Sequence, residues 1–371
     1  MTTADPMSLR GTPLLQSRVL EELRREIVSK HAPGTRLQAE RELALRLKVS
    51  RGTLRTALMQ LEAEGVIERR QGRGTFVKNL LGSRKRTKNI GVIFFSSMQH
   101  LMADPFYAQI MQGIHSEARE RGLDVLIFAN QSRANWNITT QGLSDEDMDK
   151  VDGVLIFEIF SPAAIQMLGG KKPFVLLDSE LPNSNYPCVV LDNFGGTYQA
   201  VKTLLSMGHK EILFIGEPPD NPNTDPAWQL RRKGYEQAMM EAGIAPRLIF
   251  LKGRNSESTR EILPAFFDGP SRPTAIVGCN DAISIYALHL AKKRGWRVPE
   301  DISLVGFGGD IQTEFTAPPL ATVKAQLSNM GKEAVNLLVG QVNGDPIEPR
   351  RRVVPVHFEQ RGSIGPPPNK L

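Results

Sequence analysis

Apolar residues at Leu15, Val19, Leu23 and Ile27 recur every four positions, which lays one stripe along a first helix. The run His31-Ala-Pro-Gly34 ends it, because Pro33 and Gly34 both interrupt helices. A short second helix is expected over Glu40 to Leu47, with Leu43 and Leu47 inward, followed by a turn at Lys48-Val49. Ser50 then caps a third helix. At 100° per residue, Leu54, Ala57, Leu58 and Leu61 of that helix share one sector, while Arg51, Gly52, Arg55, Thr56 and Met59 point outward. After Gly65 the period shortens: Val66–Arg69 and Thr75–Val77 read as strands about the tight turn Gln71-Gly72-Arg73-Gly74.

From Asn89 the pattern changes to short continuous apolar runs separated by amphipathic stretches. The runs are IGVIFF (90–95), DVLIF (124–128), GVLIF (153–157), FVLLD (174–178), CVVLD (188–192), ILFIG (212–216), LIFL (248–251), TAIVGC (274–279) and ISLVGF (302–307). Helical segments between them include Tyr107–Arg121, Gly196–Met207, Gln229–Ala242 and Ile283–Lys293. Repeated βα units with strands apolar on both faces imply parallel sheets covered by helices on both sides. Nine such strands suit two doubly wound lobes better than one sheet. Between the two patterns, Lys78–Lys88 is polar, basic and aperiodic, and reads as a linker whose cations either add phosphate contacts or are simply solvated.

Charge sharpens this division. Of the 371 residues, the first 88 carry 19 Lys and Arg against 9 Asp and Glu, a net +10 within a total of +6. A basic head on a mildly acidic body points to a nucleic-acid module joined to something else. Cys188 and Cys279 stand alone without Cys or His companions, so neither a disulfide framework nor structural zinc is expected, and a reducing cytoplasm fits. No signal-peptide pattern and no apolar stretch of membrane-spanning length is visible.

Helix–turn–helix geometry sends the start of the third helix to the base edges. There an arginine either pairs with guanine or clamps a phosphate, and Gln71–Gly74 with Arg73 forms a cationic wing suited to a narrow minor groove. The ordered set PGTRLQAERELALRLKVSRGTLRTALMQLEAEGVIERRQGRGTFV resembles the gluconate-repressor (GntR) class of winged-helix regulators over residues 14–78. That resemblance implies Arg41, Arg51 and Arg55 as principal DNA contacts, Ser50 and Thr53 near phosphates, and Gln71, Gly72 and Arg73 in the wing. There are two departures from the class: Gly52 where Thr is common, and Gln38-Ala39 in place of Pro-Ser.

Ligands of doubly wound sheets lie outside the strand C-termini. Candidates there are Phe106 and Tyr107, whose rings can stack on a sugar or purine, and Glu158, Asp192, Arg231, Asn280 and Asp281, planar groups suited to polyhydroxylated molecules. Each has a structural alternative when read singly, such as a helix cap for Asp281 or a core ring for Phe106. The pieces DPFYAQIMQGIHSEARERGLDVLIF, DNFGGTYQAVKTLLSMGHKEILFIG, RRKGYEQAMMEAG and PTAIVGCNDAISIYALHLAKKRGWRVPEDISLVGFGG resemble the lactose/galactose-repressor (LacI/GalR) sensor, itself like periplasmic binding proteins. The resemblance implies that Arg231 and Asp281 grip the effector, with Phe106 and Asp192 at matching family positions. Gly308-Gly309 replaces the family's usual acidic pair, and Met98–Ala103 is a longer loop than usual.

The expected fold is α/β: an N-terminal winged helix–turn–helix at 1–78, a linker at 79–88, and a two-lobed periplasmic-binding-protein-like domain of doubly wound parallel sheets at 89–371. The lobes are placed at roughly 89–191 plus 320–341 and roughly 192–319 plus 342–361. A GntR-type head on a LacI-type sensor is the arrangement of arabinose-repressor-like regulators. It implies a cytoplasmic, homodimeric repressor of operator DNA, controlled by a sugar or sugar derivative, without a metal or cofactor. The competing readings are a transporter's solute-binding protein and an enzyme body on a regulatory head. The first has no secretion signal to support it. The second lacks any HExxH, GxSxG, Walker or Schiff-base lysine motif, so no enzyme is expected.

Overall fold

A computed structural model of the chain describes residues 18–20, 22–24, 26–27, 35–63, 66–70, 73–77, 86–97, 104–130, 144–157, 172–181, 186–218, 226–251, 256–268 and 272–368. The described residues fall into two compact units, one within 1–86 together with 340–346 and the other within 87–339 together with 347–371. Glu158, Gln71, Gly72 and the loop Met98–Ala103 lie outside the described residues.

In the first unit, helical residues between 18 and 27 (α1) bring Val19, Leu23 and Ile27 to one core with Leu43 of α2 (Glu40–Arg46) and Leu54, Ala57, Leu58 and Leu61 of α3 (Arg51–Ala63). The four α3 residues are those the 3.6-residue period selects. Ser50 opens α3 as expected, its Oγ accepting the Thr53 amide at 3.0 Å. At the start of α2, Ala39 offers no side-chain cap, the local consequence of having no Ser there. The wing strands are β1 (Ile67–Arg70) and β2 (Gly74–Val77), antiparallel with Arg70 opposite Gly74. The sequence pattern missed a third pairing: the segment 35–37 runs along β2, with Leu37 N donating to Thr75 O and Val77 N to Thr35 O, both at 2.9 Å.

The second unit holds two six-stranded sheets. One is ordered β13-β7-β6-β5-β3-β4, from β3 (Asn89–Ser97), β4 (Asp124–Asn130), β5 (Gly153–Phe157), β6 (Phe174–Leu177), β7 (Cys188–Leu191) and β13 (Arg351–Val354). The other is β14-β12-β11-β10-β8-β9, from β8 (Ile212–Gly216), β9 (Arg247–Phe250), β10 (Ala275–Gly278), β11 (Ser303–Gly308), β12 (Ala321–Ala325) and β14 (Val356–Glu359). Every pairing in the two sheets is parallel except β12 with β14. The helices are α4 (Pro105–Glu120), α5 (Asp145–Asp149), α6 (Asn193–Ser206), α7 (Pro226–Glu241), α8 (Ser256–Phe267), α9 (Asp281–Lys293) and α10 (Leu327–Asn343).

The lobe assignment needs two corrections. β12 pairs with β11, so 321–325 belongs to the second sheet and not to the first lobe. β13 pairs with β7, so 351–354 belongs to the first sheet and not to the second lobe. The chain therefore changes sheets three times: after β7, between β12 and α10, and between β13 and β14. These late strands (ATVKA, RRVV and VHFE) are short and partly polar, so no continuous apolar run announces them. α10 returns to the first lobe, where its Gly331 meets Gly113 of α4. A Cβ on Gly113 would lie 1.9 Å from the carbonyl oxygen of Ser328, and one on Gly331 would lie 2.2 Å from that of Ile110. The two backbones touch because neither residue has a side chain.

Candidate nucleic-acid interface and effector site

The apolar stripe of α3 is buried, which fixes the opposite face outward. Arg51, Gly52, Arg55, Thr56 and Met59 are all exposed, as is Arg41 on α2. Arg55 is held only loosely, its guanidinium 3.4 Å from Glu40 with both side chains substantially exposed. An exposed pair of this kind contributes little, so the arginine is free to exchange a carboxylate for a phosphate or a base. Ser50 and Thr53 share a hydrogen bond of 2.8 Å at the N-terminus of α3, where backbone amides favour an anion. Arg73 is exposed in the wing turn and its amide donates to Arg70 O at 2.9 Å. Sequence reasoning missed Glu40 as the residue that spans Arg55 and, at 3.6 Å, Arg69 of the wing. Its place on α2 gave no sign of a link to β1.

In the second unit, the polar candidates of the second sheet gather at the C-terminal ends of its strands. Arg231, on α7, is only 4% exposed. Its Nε donates to Asn193 Oδ1 and its Nη1 to Cys279 O, both at 2.7 Å, and the guanidinium lies 3.9 Å over the Phe307 ring. One side chain thus joins α6, β10, β11 and α7. Asn280 caps α9, its Oδ1 accepting the Ile283 amide at 2.9 Å. Asp281 is buried beside Gly306 and Gly308, where a Cβ would lie 2.2 Å and 3.1 Å from its two carboxylate oxygens. It accepts the Thr322 hydroxyl at 2.6 Å and the Asp310 amide at 2.7 Å. Burial pushes its carboxyl up to about 6, against the lowering effect of those hydrogen bonds. The Gly308-Gly309 departure therefore has a local meaning: a side chain at 308 would crowd the Asp281 carboxylate.

Asp192 is exposed and caps α6 through the Gly195 amide at 2.9 Å, next to the Asn193 that holds Arg231. Phe106 is half-buried at the start of α4, where the Asp104 cap receives its amide. Tyr107 is 4% exposed, its ring packing on Phe94 at 4.8 Å and Phe157 at 5.9 Å. Glu217, which sequence reasoning overlooked, is a buried carboxylate directly after β8, on the strand neighbouring β10. Its only signal was its place after the run ILFIG. Among the described residues no group of three or more His, Cys, Asp or Glu could hold a metal, and no helix is long and apolar enough to cross a membrane.

A winged helix–turn–helix with an outward arginine face, followed by two mainly parallel sheets, the second with buried polar groups at its strand ends, defines a DNA-binding regulator with a ligand-sensor architecture. Residues 15–77 match the model of the gntR family of bacterial regulatory proteins, and residues 201–364 match that of the periplasmic binding protein-like domain. The HTH-type transcriptional regulator DegA of Bacillus subtilis is 31% identical over 274 residues, covering 71% of this chain and 79% of DegA. The repressor CytR of Escherichia coli K12 is 29% identical over 337 residues, 87% of this chain and 95% of CytR. The arabinose metabolism transcriptional repressor of Geobacillus stearothermophilus is 26% identical over 340 residues, 86% and 90% of the two chains. Among solved structures, a complex of the transcriptional regulator CelR with cellobiose superposes with TM-score 0.63 at 24% identity, covering 85% of this chain and 92% of that one. The chain belongs to the HTH-type transcriptional regulators, with a GntR-type head and a periplasmic-binding-protein-like sensor.

Proposed function

We propose that the chain is a cytoplasmic homodimeric repressor whose grip on operator DNA is set by a carbohydrate-like molecule bound at the strand ends of the sensor. On this reading residues 1–78 read DNA, 79–88 tether, and 89–371 sense. Arg41, Arg51, Arg55 and Arg73 meet the duplex, with Ser50 and Thr53 at its phosphates. The observation that carries the sensor assignment is the Arg231 constellation. A guanidinium buried at the ends of β10 and β11, stacked on Phe307 and oriented by Asn193, is a pre-formed donor array for hydroxyl or carboxylate oxygens. The CelR–cellobiose complex and the arabinose repressor among its relatives support a sugar as the ligand class.

No catalytic step is assigned, and the reading requires no cofactor. Ligand acts by binding one arrangement of the lobes better than another, since only differential affinity shifts such an equilibrium. A coupling of ~1–3 kcal/mol changes operator affinity 5–150-fold. Two heads per dimer supply the combined affinity that one small winged helix lacks. A thermal-shift screen of pentoses, hexoses, uronates and their phosphates, with operator binding measured beside each hit, tests the proposal. A ligand that raises Tm and changes operator affinity supports it. Hits that raise Tm while leaving DNA binding unchanged count against it.

A further inference from the structure

Several of the head's cations have no acidic partner, and one of them stands in the wing sheet. Arg46 is paired with Glu26, Arg55 with Glu40, Arg69 with Glu40 and Glu62, and Arg70 with Glu68. Among the described residues of the head, Arg18, Arg36, Arg41, Lys48, Arg51, Arg73 and Arg86 have no carboxylate within ion-pair distance. Three of these are the DNA contacts expected from the sequence. Of the remaining four, Arg36 alone pairs with a wing strand.

Its position is fixed by the sheet. Arg36 bridges Phe76 of β2, and residues directly opposite in an antiparallel pair share a face. Leu37, Ile67 and Val77 point into the helical core, so Arg36, Phe76 and Arg70 occupy the outer face of the wing. There Arg70 is already committed, bonded to Glu68 and lying 4.7 Å over the Phe76 ring. Arg36 instead extends along the wing toward its turn, beside Gly74. A Cβ on Gly74 would lie 2.8 Å from Arg36 Nε and 3.3 Å from Nη2. Gly74 has φ of 110°, a backbone state that L side chains avoid. The glycine thus gives the wing its turn and also clears the berth for a guanidinium, which stays exposed.

We propose that Arg36 is a phosphate-binding residue at the root of the wing, clamping the sugar–phosphate strand beside the groove that Arg73 enters. A planar guanidinium with free N–H groups, held by strand pairing rather than by an acidic partner, suits bidentate phosphate binding. The inference rests on the head binding DNA through α3 and the wing, and its test separates the two.

The full-length chain is assayed on a duplex selected from a random library by the wild type, and on a scrambled duplex, from 50 to 200 mM salt. Each phosphate contact contributes about 0.9 to the slope of log K against log salt, so one contact accounts for about 3.5-fold over that range. Arg36→Gln should lower the slope by about 0.9 for each head engaged, about 1.8 with both heads of a dimer on the duplex, with an unchanged melting temperature, and Arg36→Lys should restore most of it. An Arg36→Gln chain with the wild-type slope overturns the proposal, and so does a slope lost equally in Arg36→Lys. Arg51→Ala run in parallel reports on the head itself. If Arg51→Ala weakens selected-duplex binding while Arg36→Gln changes nothing, the α3 assignment stands and the Arg36 clamp falls.

Discussion

The Thr322 hydroxyl donates to the Asp281 carboxylate at 2.6 Å, joining the start of α9 to β12 just before the chain leaves the second sheet. The Asp310 amide completes the hold at 2.7 Å. Asp281 thereby ties together three segments that are distant in sequence, at the strand ends where Arg231 also sits.

The burial of that carboxylate has a pH signature. The folded-state carboxyl of Asp281 is pushed up to about 6 from 3.8, so the folded chain retains its proton longer than the unfolded chain. The sign follows from linkage: the stabilising contribution is complete below pH 3.8 and is lost as pH rises through about 6. The difference between 3.8 and about 6 corresponds to roughly 3 kcal/mol. Urea unfolding of wild type and Asp281→Asn from pH 4 to 7 should show this slope in the wild type alone. Parallel curves for the two chains contradict the account.

The uncapped start of α2 offers a gain. Ala39 is exposed and stands at the N-cap position. Ala39→Ser supplies an oxygen for an unsatisfied amide of the first turn and should raise the stability of the head by ~1 kcal/mol. Denaturant melts of the wild type and variant, followed by helical circular dichroism, check it.

Arg231 should separate sensing from DNA binding. Arg231→Lys keeps the charge but loses the planar fork that reaches Asn193 and Cys279 together. Its DNA affinity should match wild type, while ligand-induced stabilisation and the ligand's effect on DNA are lost. Arg231→Ala additionally leaves two buried acceptors without their donor, at a cost of ~1–3 kcal/mol in stability. Calorimetric titration with a ligand from the screen reads the first effect, and thermal melts read the second.

On α3, Arg51→Ala and Arg55→Ala should each weaken operator binding by ~1–3 kcal/mol if the residue meets a base, with relaxed preference at that base pair. Fluorescence anisotropy on single-substitution operators locates the affected position. Wild-type affinity in both variants would move the reading face elsewhere.

At the α4–α10 crossing, Gly113→Ala would place a methyl 1.9 Å from the Ser328 carbonyl. The helices must separate, and overpacking of this kind costs ~1–3 kcal/mol. A Tm unchanged from wild type would contradict the close approach.

Much of this was legible from local pattern. The stripe Leu54, Ala57, Leu58, Leu61 and the cap Ser50 involve residues within a few positions of each other, so their roles follow from helical period and hydrogen-bond chemistry. The same holds for strands such as GVLIF, all of whose residues are buried. The burial of Tyr107 is not legible locally, because its neighbours Phe94 and Phe157 lie on β3 and β5. Glu217 was passed over because its burial comes from the surrounding fold and not from the run before it.

The sequence by itself determined the two modules, the outward arginine face of α3 and the alternation of strand and helix, since each depends on periodicity and turn chemistry over short spans. Only tertiary structure decided which sheet β12, β13 and β14 join. It alone also decided that Asp281 is held by Thr322 and that Arg36 lies against Gly74. Those outcomes depend on strand pairing and close packing between segments tens to hundreds of residues apart, and no local pattern encodes such pairings.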